Sequence, residues 1–126
     1  MRKARVGLLV AAISMAVLMF AATALATYPK TNEKFTGTST KDDKIVARTG
    51  DSKKSLKSIK VTEDCGSQYE FEDVKINRDG EFKAVYKFDA TVVFKITGTW
   101  KSKTRATGNI EGVTCSGARR GYTITN

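Results

Sequence analysis

The sequence of 126 residues contains no histidine, and this absence removes several kinds of active site from consideration. A serine or cysteine nucleophile that needs an imidazole base cannot be built from this chain. A zinc or copper centre that combines histidine with cysteine ligands is excluded for the same reason. Carboxylates would have to carry any hydrolytic chemistry, and they are the minority charge, with 13 Asp and Glu against 22 Lys and Arg.

Cysteine is almost absent as well, since only Cys65 and Cys115 occur. They show no CxxC spacing, which argues against a redox motif or a metal-binding pair. Two cysteines in an exported chain usually form a disulfide. We therefore predict a Cys65–Cys115 bridge, for which loop-closure entropy suggests a stabilisation of about 4 kcal/mol.

The N-terminal segment has the organisation of a secretory signal peptide. Arg2, Lys3 and Arg5 precede the almost wholly apolar run 7–22, and Ala24-Leu25-Ala26 is an A-x-A cleavage signature. Extended to Ala26, the apolar run 7–26 has about the roughly 20 residues that a spanning helix needs, so an uncleaved anchor is the competing interpretation. The A-x-A end and the polar residues after it favour cleavage after Ala26. The sequence therefore predicts a secreted or cell-envelope protein.

Cleavage would leave one domain's length of chain and a basic protein. Residues 1–26 contain three of the 22 basic residues and none of the 13 acidic ones, so the net charge falls from +9 to +6 over the remaining 100 residues. No later run is apolar enough to span a bilayer, so we expect no transmembrane segment in the mature chain. We predict a flexible arm at 27–33 and a single domain at 34–126.

Apolar and polar side chains alternate along the mature sequence, and no stretch of it has helical periodicity. The count is about eight short strands separated by turns every eight to twelve residues. This pattern predicts an all-β domain, and we expect an antiparallel β-sandwich with one disulfide. A small up-and-down β-barrel is the alternative.

The clearest alternation lies in 81–111, which we interpret as three consecutive antiparallel strands. Matching the apolar faces fixes the register, because a slip by one residue would turn every side chain over. It pairs Phe82 with Gly98, Ala84 with Ile96, Tyr86 with Phe94 and Phe88 with Val92, leaving a three-residue loop. One hairpin earlier, Ile76 opposite Phe82 requires a three-residue turn that ends in Gly80. We expect Gly98 and Gly108 to make room for the Trp100 ring.

Basic side chains lie along the outer face and the turns of this meander. The predicted polyanion-binding residues are Lys83, Lys87, Lys95, Lys101, Lys103, Arg105, Arg119 and Arg120. Such a surface could bind an anionic cell-envelope polymer. The other interpretation is that these lysines keep exposed strands soluble and block edge pairing. Aromatic residues do not alternate with the lysines, so we expect no nucleic acid partner.

Aromatic and acidic residues supply the remaining candidates. Trp100 stands at a strand end and is the residue we expect to make an aromatic contact with a ligand. The acidic runs Glu63-Asp64 and Glu70 to Asp73 could supply a glycosidase pair. Asp42-Asp43 or Glu70 to Asp73 could supply calcium ligands. Each run is local, as in a solvated face or turn. We therefore expect no catalytic residues, no cofactor and no metal.

Short elements through most of the mature chain resemble a group of small secreted bacterial all-β domain proteins with one disulfide. These elements are F-x-G-x-S from Phe35 to Ser39, the strand ending at Cys65-Gly66, the turn before Glu81-Phe82, Gly98-Thr99-Trp100, Ala106-Thr107-Gly108 and Cys115-Ser116-Gly117. The resemblance implies export, a disulfide and an all-β fold. It supplies no activity and no functional residues.

These observations favour an exported, non-catalytic binding or interaction module whose ligand the sequence does not name. An anionic envelope polymer and a secreted protein are the partners we consider. The first alternative is an inhibitor of a secreted hydrolase that presents Lys101 to Arg105 or Ser116 to Gly121 as a basic loop. The second is a small carboxylate-dependent glycosidase.

Overall fold

The computed structural model describes residues 27–112, 115 and 118–126. The predicted signal peptide therefore lies outside the described residues. No helix occurs within the described ranges, and none of them contains a helix long and apolar enough to cross a membrane. The eight strands are β1 (Lys34–Ser39), β2 (Lys44–Thr49), β3 (Ser55–Thr62), β4 (Gln68–Lys75), β5 (Glu81–Phe88), β6 (Thr91–Ser102), β7 (Arg105–Gly112) and β8 (Arg120–Thr125).

All eight strands belong to one antiparallel sheet in the order β4-β3-β2-β1-β8-β7-β6-β5. The first and last strands pair with each other, with Gly37 opposite Ile124. The sheet is nearly closed and barrel-like, and β4 and β5 flank the one opening. A single backbone bridge, Ile76 to Phe82, and a ring contact between Tyr69 and Tyr86 (centroids 5.8 Å apart) span that opening. This arrangement confirms the all-β fold with antiparallel strands, and it is compatible with the barrel that was the alternative to the expected sandwich.

Because neighbouring strands are antiparallel, the turns collect at two opposite ends of the sheet. One end carries the β1–β2, β3–β4, β5–β6 and β7–β8 connections, and we call it the disulfide end. The other end carries residues 27–33 and the β2–β3, β4–β5 and β6–β7 connections. We call this second end the arm end. The two ends hold different kinds of residues.

The core fills the inside of the sheet with alternate side chains from every strand. Fully buried examples are Phe35, Ile59, Phe94, Ile110 and Ile124. Phe94 also stacks on Tyr69, with ring centroids 4.2 Å apart, below the opening between β4 and β5. Burial of this kind is worth about 1.5–3 kcal/mol for each large apolar side chain and holds the sheet together.

The predicted register of the meander is confirmed in its middle and wrong at one tip. Phe82 faces Gly98, Ala84 faces Ile96 and Tyr86 faces Phe94, as expected. A bulge after Tyr86 then shifts the pairing, so Phe88 faces Thr91 instead of Val92 and the loop has two residues, Asp89 and Ala90. Both loop residues have positive φ (48° and 67°), as a type I′ turn requires. The side chains at the tip leave the core as a result.

The earlier hairpin agrees with the prediction, and β4 contains a bend. Ile76 pairs with Phe82 across a turn in which Gly80 has φ 77°. Asp73 has φ 53° and marks the bend that brings Val74 inside after Tyr69 and Phe71. The pairing of β3 with β2 also shifts, between Arg48 and Thr49, at the level of this bend. The inward-facing positions of β3 and β4 therefore change parity at the same level of the sheet.

The two glycines of the meander are explained by close packing, but Trp100 is not the neighbour. A Cβ on Gly98 would lie 2.3 Å from the Phe82 ring and 2.5 Å from the Tyr122 hydroxyl. At Gly108 it would meet the Thr97 carbonyl oxygen. Glycine is therefore needed because a ring and a backbone approach here, which corrects the expected contact with the indole.

Cys65 and Cys115 form the predicted disulfide, with Cα atoms 5.7 Å apart. The bridge joins the β3–β4 turn to the connection between β7 and β8, so it ties distant segments at the disulfide end.

Candidate functional site

The basic residues that the sequence suggested do not form one patch. Lys83 and Lys87 are exposed on β5, whereas Lys101, Lys103 and Arg105 are exposed around the β6–β7 turn at the arm end. Lys87 pairs with a residue of β6, and Lys101 lies roughly 30 Å from that residue along the same strand, at the strand's rise of about 3.3 Å per residue. The structure therefore separates the predicted surface into two groups.

The charge of the β5–β7 face is further reduced by acidic neighbours. Lys95 is half-buried and lies directly opposite Glu111 on β7. Arg119 is exposed and lies 3.6 Å from the same carboxylate. Glu111 thus compensates part of the positive charge at this position, and the face is mixed in sign.

Arg120 is buried, which corrects its assignment to the basic surface. Its guanidinium donates to Asp43 through Nε, to Glu63 through Nη2 (2.8 Å) and to the Ala118 carbonyl through Nη1 (2.9 Å). Both carboxylates are buried as well. The three charged residues, here called the buried triad, come from the β1–β2 turn, the end of β3 and the start of β8. Arg120 joins these segments and cannot contact a ligand.

Asp43 and Arg120 of the triad favour each other's charged form. Burial alone would raise the pKa of Asp43, but hydrogen bonds from Arg120, the Ser39 hydroxyl and the Asp64 N–H outweigh it and hold the pKa below its usual value. For Arg120, burial would lower the pKa, and the bonds and charges of Asp43 and Glu63 raise it instead. Asp43 and Arg120 are therefore an ionised pair with a structural role.

Trp100 is also buried, contrary to the prediction that it offers an aromatic contact. Its indole is 2% exposed and packs edge-on against Phe35, with centroids 4.8 Å apart. The Nε1 atom has no hydrogen-bond partner among the described residues. Inward-facing and outward-facing side chains alternate along β6 as far as Trp100, so this tryptophan lies in the core although it is close to the end of the strand.

At the arm end, Lys103 lines a cleft of about 640 Å³, whereas Lys101 and Arg105 are not among its walls. We call it the arm cleft, and its walls are Thr27, Tyr28, Pro29, Lys30, Thr31, Glu33, Lys53 and Lys103. Lys30 comes from the N-terminal segment, Lys53 from the β2–β3 loop and Lys103 from the β6–β7 turn. Three separate segments thus bring one lysine each to the same cleft.

Hydrogen bonds hold the N-terminal segment against the sheet. The Lys30 N–H donates to the Lys103 carbonyl (2.9 Å), and the buried Thr49 hydroxyl donates to the Lys30 carbonyl (2.6 Å). The Asn32 N–H donates to the Gly50 carbonyl (3.0 Å), and Pro29 is buried. These bonds fix the backbone of one cleft wall in residues that the sequence predicted to be an arm.

Charge in the cleft is mainly positive, and an aromatic ring adjoins it. Lys53 Nζ lies 5.6 Å from the centre of the half-buried Tyr28 ring, within the range of a cation–π contact. Among the described residues that line the cleft, Glu33 is the one acidic side chain, against three lysines. The sequence indicated Lys103 as a binding residue but not Lys30, Lys53 or Tyr28. The proline beside Tyr28, the only one in the chain, was the available sign that this segment is ordered.

A second exposed feature is the tip of the β5–β6 hairpin at the disulfide end. Tyr86, Phe88 and Val92 are 46%, 65% and 44% exposed. The bulge after Tyr86 changes the pairing of Phe88 and Val92, whereas Tyr86 keeps its expected partner Phe94 and contacts the Tyr69 ring at the opening between β4 and β5. The sequence placed all three side chains inside, and the unexpected two-residue loop accounts for the exposure of Phe88 and Val92.

The acidic candidates do not assemble into a catalytic pair. Glu70 and Glu72 lie exposed on the outer face of β4, opposite Lys60 and Ser58. They point the same way from one strand, whereas a glycosidase holds its two carboxyl groups on either side of a bond. Glu63 belongs to the buried triad. Within the described residues, no group of three or more metal-ligating side chains could hold a metal ion.

Comparison of the chain with protein-family models, with curated proteins and with solved structures finds no match in any of the three. The resemblance to small secreted β-domains stays a prediction.

Proposed function

We propose that this protein is an exported, non-catalytic module that binds an anionic polymer in the arm cleft. The observation that supports this most directly is the convergence of Lys30, Lys53 and Lys103 on one cleft. Three segments distant in sequence supply them, so their proximity is a property of the fold. A chain of carboxylates or phosphates would find a cation at each wall.

Tyr28 favours a polymer with sugar rings in this proposal. A tyrosine ring offers a flat apolar face beside the lysines, on which a sugar ring can stack while its acidic group contacts an ammonium. A polyuronate would use both features, and a polyphosphate would use only the charges. Comparing these two polymers therefore separates stacking from simple charge attraction.

Salt dependence tests the electrostatic part of the proposal. For about three cations on a single-stranded polyanion, the affinity should fall roughly 20-fold between 50 and 200 mM salt. We would measure the dissociation constants of polygalacturonate and inorganic polyphosphate by calorimetry at both salt concentrations. An affinity that does not change with salt, or no binding at 50 mM, would reject the proposal.

A pair of double variants tests the location. Lys53→Gln with Lys103→Gln removes two cations from the arm cleft, and Lys83→Gln with Lys87→Gln removes the same charge from β5. The first should weaken binding roughly tenfold or more and the second much less, because the long-range contribution is screened beyond about 10 Å at 0.1 M salt. Equal losses would show that net charge, rather than the cleft, binds the polymer.

A second candidate function, binding of a secreted protein such as a hydrolase, is favoured by the exposed hairpin tip. Phe88 is 65% exposed beside the two-residue turn, and Tyr86 is 46% exposed on the same strand; exposed aromatic residues of this kind can act as anchors of protein interfaces. This differs from the basic loop Lys101 to Arg105 that the sequence suggested for an inhibitor. Inhibition of a secreted hydrolase should be lost in Phe88→Ala and kept in Lys101→Gln; the reverse result would return the role to the basic loop.

For both candidates we propose that the sheet acts as one small barrel rather than as a two-layered sandwich. The continuous pairing from β4 through β1 and β8 to β5 supports this. A barrel would present the arm cleft and the hairpin tip at opposite ends of one rigid frame.

A further inference from the structure

Thr27 lines the arm cleft, and it is the residue that follows the predicted cleavage site. Its backbone position is set by the sheet beneath it. A Cβ on Gly80 would lie 2.6 Å from the Thr27 carbonyl oxygen, so the two backbones pack directly on each other. Three residues later, the hydrogen bond from the Lys30 N–H to Lys103 fixes the other side of the segment. The start of the mature chain is thus held at the cleft from both sides.

We infer that removal of the signal peptide completes the anion site, because it creates an α-ammonium group on Thr27 as a fourth cation of the arm cleft. This inference rests on the proposed function and names how its site is regulated. Hydrolysis of the Ala26–Thr27 peptide bond consumes one water and leaves a carboxylate on Ala26 and an amine on Thr27. The amine is largely protonated at neutral pH. Before cleavage the same nitrogen is an uncharged amide.

The chemistry of the site follows from this placement. An ammonium at the first residue has three donors and only one short, ordered segment behind it, so it loses little entropy when it binds an anion. A lysine must order a four-carbon side chain for the same contact. The precursor, with only the three lysines, binds polyanions more weakly than the processed protein. Binding is therefore strengthened only after export.

Three forms of the protein test the inference. The first begins at Thr27 with a free amine, the second is identical but N-acetylated, and the third has two glycines before Thr27. The third keeps the charge but moves it by up to about 7 Å. We expect acetylation to weaken binding of polygalacturonate roughly three- to tenfold and to reduce the salt slope by about 0.7. The glycine extension should give a similar loss of affinity.

Each outcome decides between the inference and the proposed function. If acetylation leaves the affinity unchanged while Lys53→Gln lowers it, the inference is wrong and the proposed function stands. If acetylation weakens binding but the glycine extension does not, the charge acts without a fixed place and the inference is wrong. If no form binds polygalacturonate or polyphosphate at 50 mM salt, both fail. N-terminal sequencing of the exported protein must also give Thr27 as its first residue, and another first residue would overturn the inference.

Discussion

Replacing Arg120 by methionine should destabilise the fold far more than any surface change. Arg120 is 3% exposed, and among the described residues its guanidinium is the cation that contacts both Asp43 and Glu63. Methionine fills a similar length but removes the positive charge from beside two buried carboxylates. Removal of one partner from a buried ion pair typically costs about 3–5 kcal/mol. That is a large part of the total of about 5–15 kcal/mol available to a domain.

Urea unfolding followed by tryptophan fluorescence measures this cost, since the buried Trp100 is the only tryptophan. With a denaturant slope of about 1.5 kcal/mol per M, the midpoint of Arg120→Met should fall by roughly 2–3 M. Arg119→Met is the matched control, because Arg119 and Glu111 are 67% and 43% exposed. Such an exposed pair contributes about 0–1 kcal/mol.

Neutral partners test whether the cost arises from uncompensated charge. Combining Arg120→Met with Asp43→Asn and Glu63→Gln removes both carboxylates while it keeps their shapes. This triple variant should regain a substantial part of the lost stability, since the desolvated charges cause most of the penalty. The reasoning is refuted if Arg120→Met costs no more than Arg119→Met, or if the triple variant is less stable than the single one.

Three further predictions concern stability. Because the pKa of Asp43 is lowered in the folded protein, this carboxyl group contributes to stability. The contribution is complete above the pKa of the unfolded state, near 4, and is lost as pH falls through the folded pKa. Asp43→Asn should therefore flatten the acid dependence of stability in unfolding measurements between about pH 5 and 2. Reduction of Cys65–Cys115 should lower the free energy of unfolding by about 4 kcal/mol, measured with and without a thiol reductant; a loss under 1 kcal/mol would show that other contacts already close the loop. Gly98→Ala should cost about 1–3 kcal/mol because its Cβ would meet the Phe82 ring, whereas Gly50→Ala, whose Cβ has 3.7 Å to Lys57, should change little; equal thermal shifts would contradict the packing argument.

Alternation in the sequence was enough to predict the strands and most of the meander register. Phe82, Ala84 and Tyr86 pair as their period-two pattern requires, because a slip would expose each of them. The disulfide followed from the cysteine count and the export signal. The strands and their register depend on short sequence patterns, and the disulfide depends on a pair of cysteines that have no competing partner. Both can be predicted without knowledge of the tertiary structure.

The errors occur where two local rules compete. At the β5–β6 tip, face matching required Phe88 in the core, but a bulge and a positive-φ turn at Asp89 and Ala90 decided the pairing. A bulge adds one residue without any required sequence mark, so alternation cannot show it. Trp100 was judged by its position near a strand end, although β6 continues for two residues beyond it.

The sequence indicated only part of the buried triad. Glu63 continues the alternation of the inward-facing Ile59 and Val61, and a carboxylate at such a position needs either a partner or a place beyond the sheet edge. Its partner Arg120 comes 57 residues later, in a glycine-containing basic stretch that looks like a surface loop. Long-range pairing of this kind depends on closure of the sheet through β1 and β8, and no single segment carries that information.

The same closure explains why the two ends differ. The disulfide end contains the buried triad and the Cys65–Cys115 bridge, so electrostatic and covalent links both constrain its connections. The arm end is held by backbone hydrogen bonds from Lys30 and Asn32, and its lysine side chains stay in solvent. A charged side chain already paired inside the protein is not available to a ligand, whereas an exposed lysine is. Arg120 and Lys103 therefore differ in role although both were assigned to one basic surface, and binding of a polyanion is expected at the arm end.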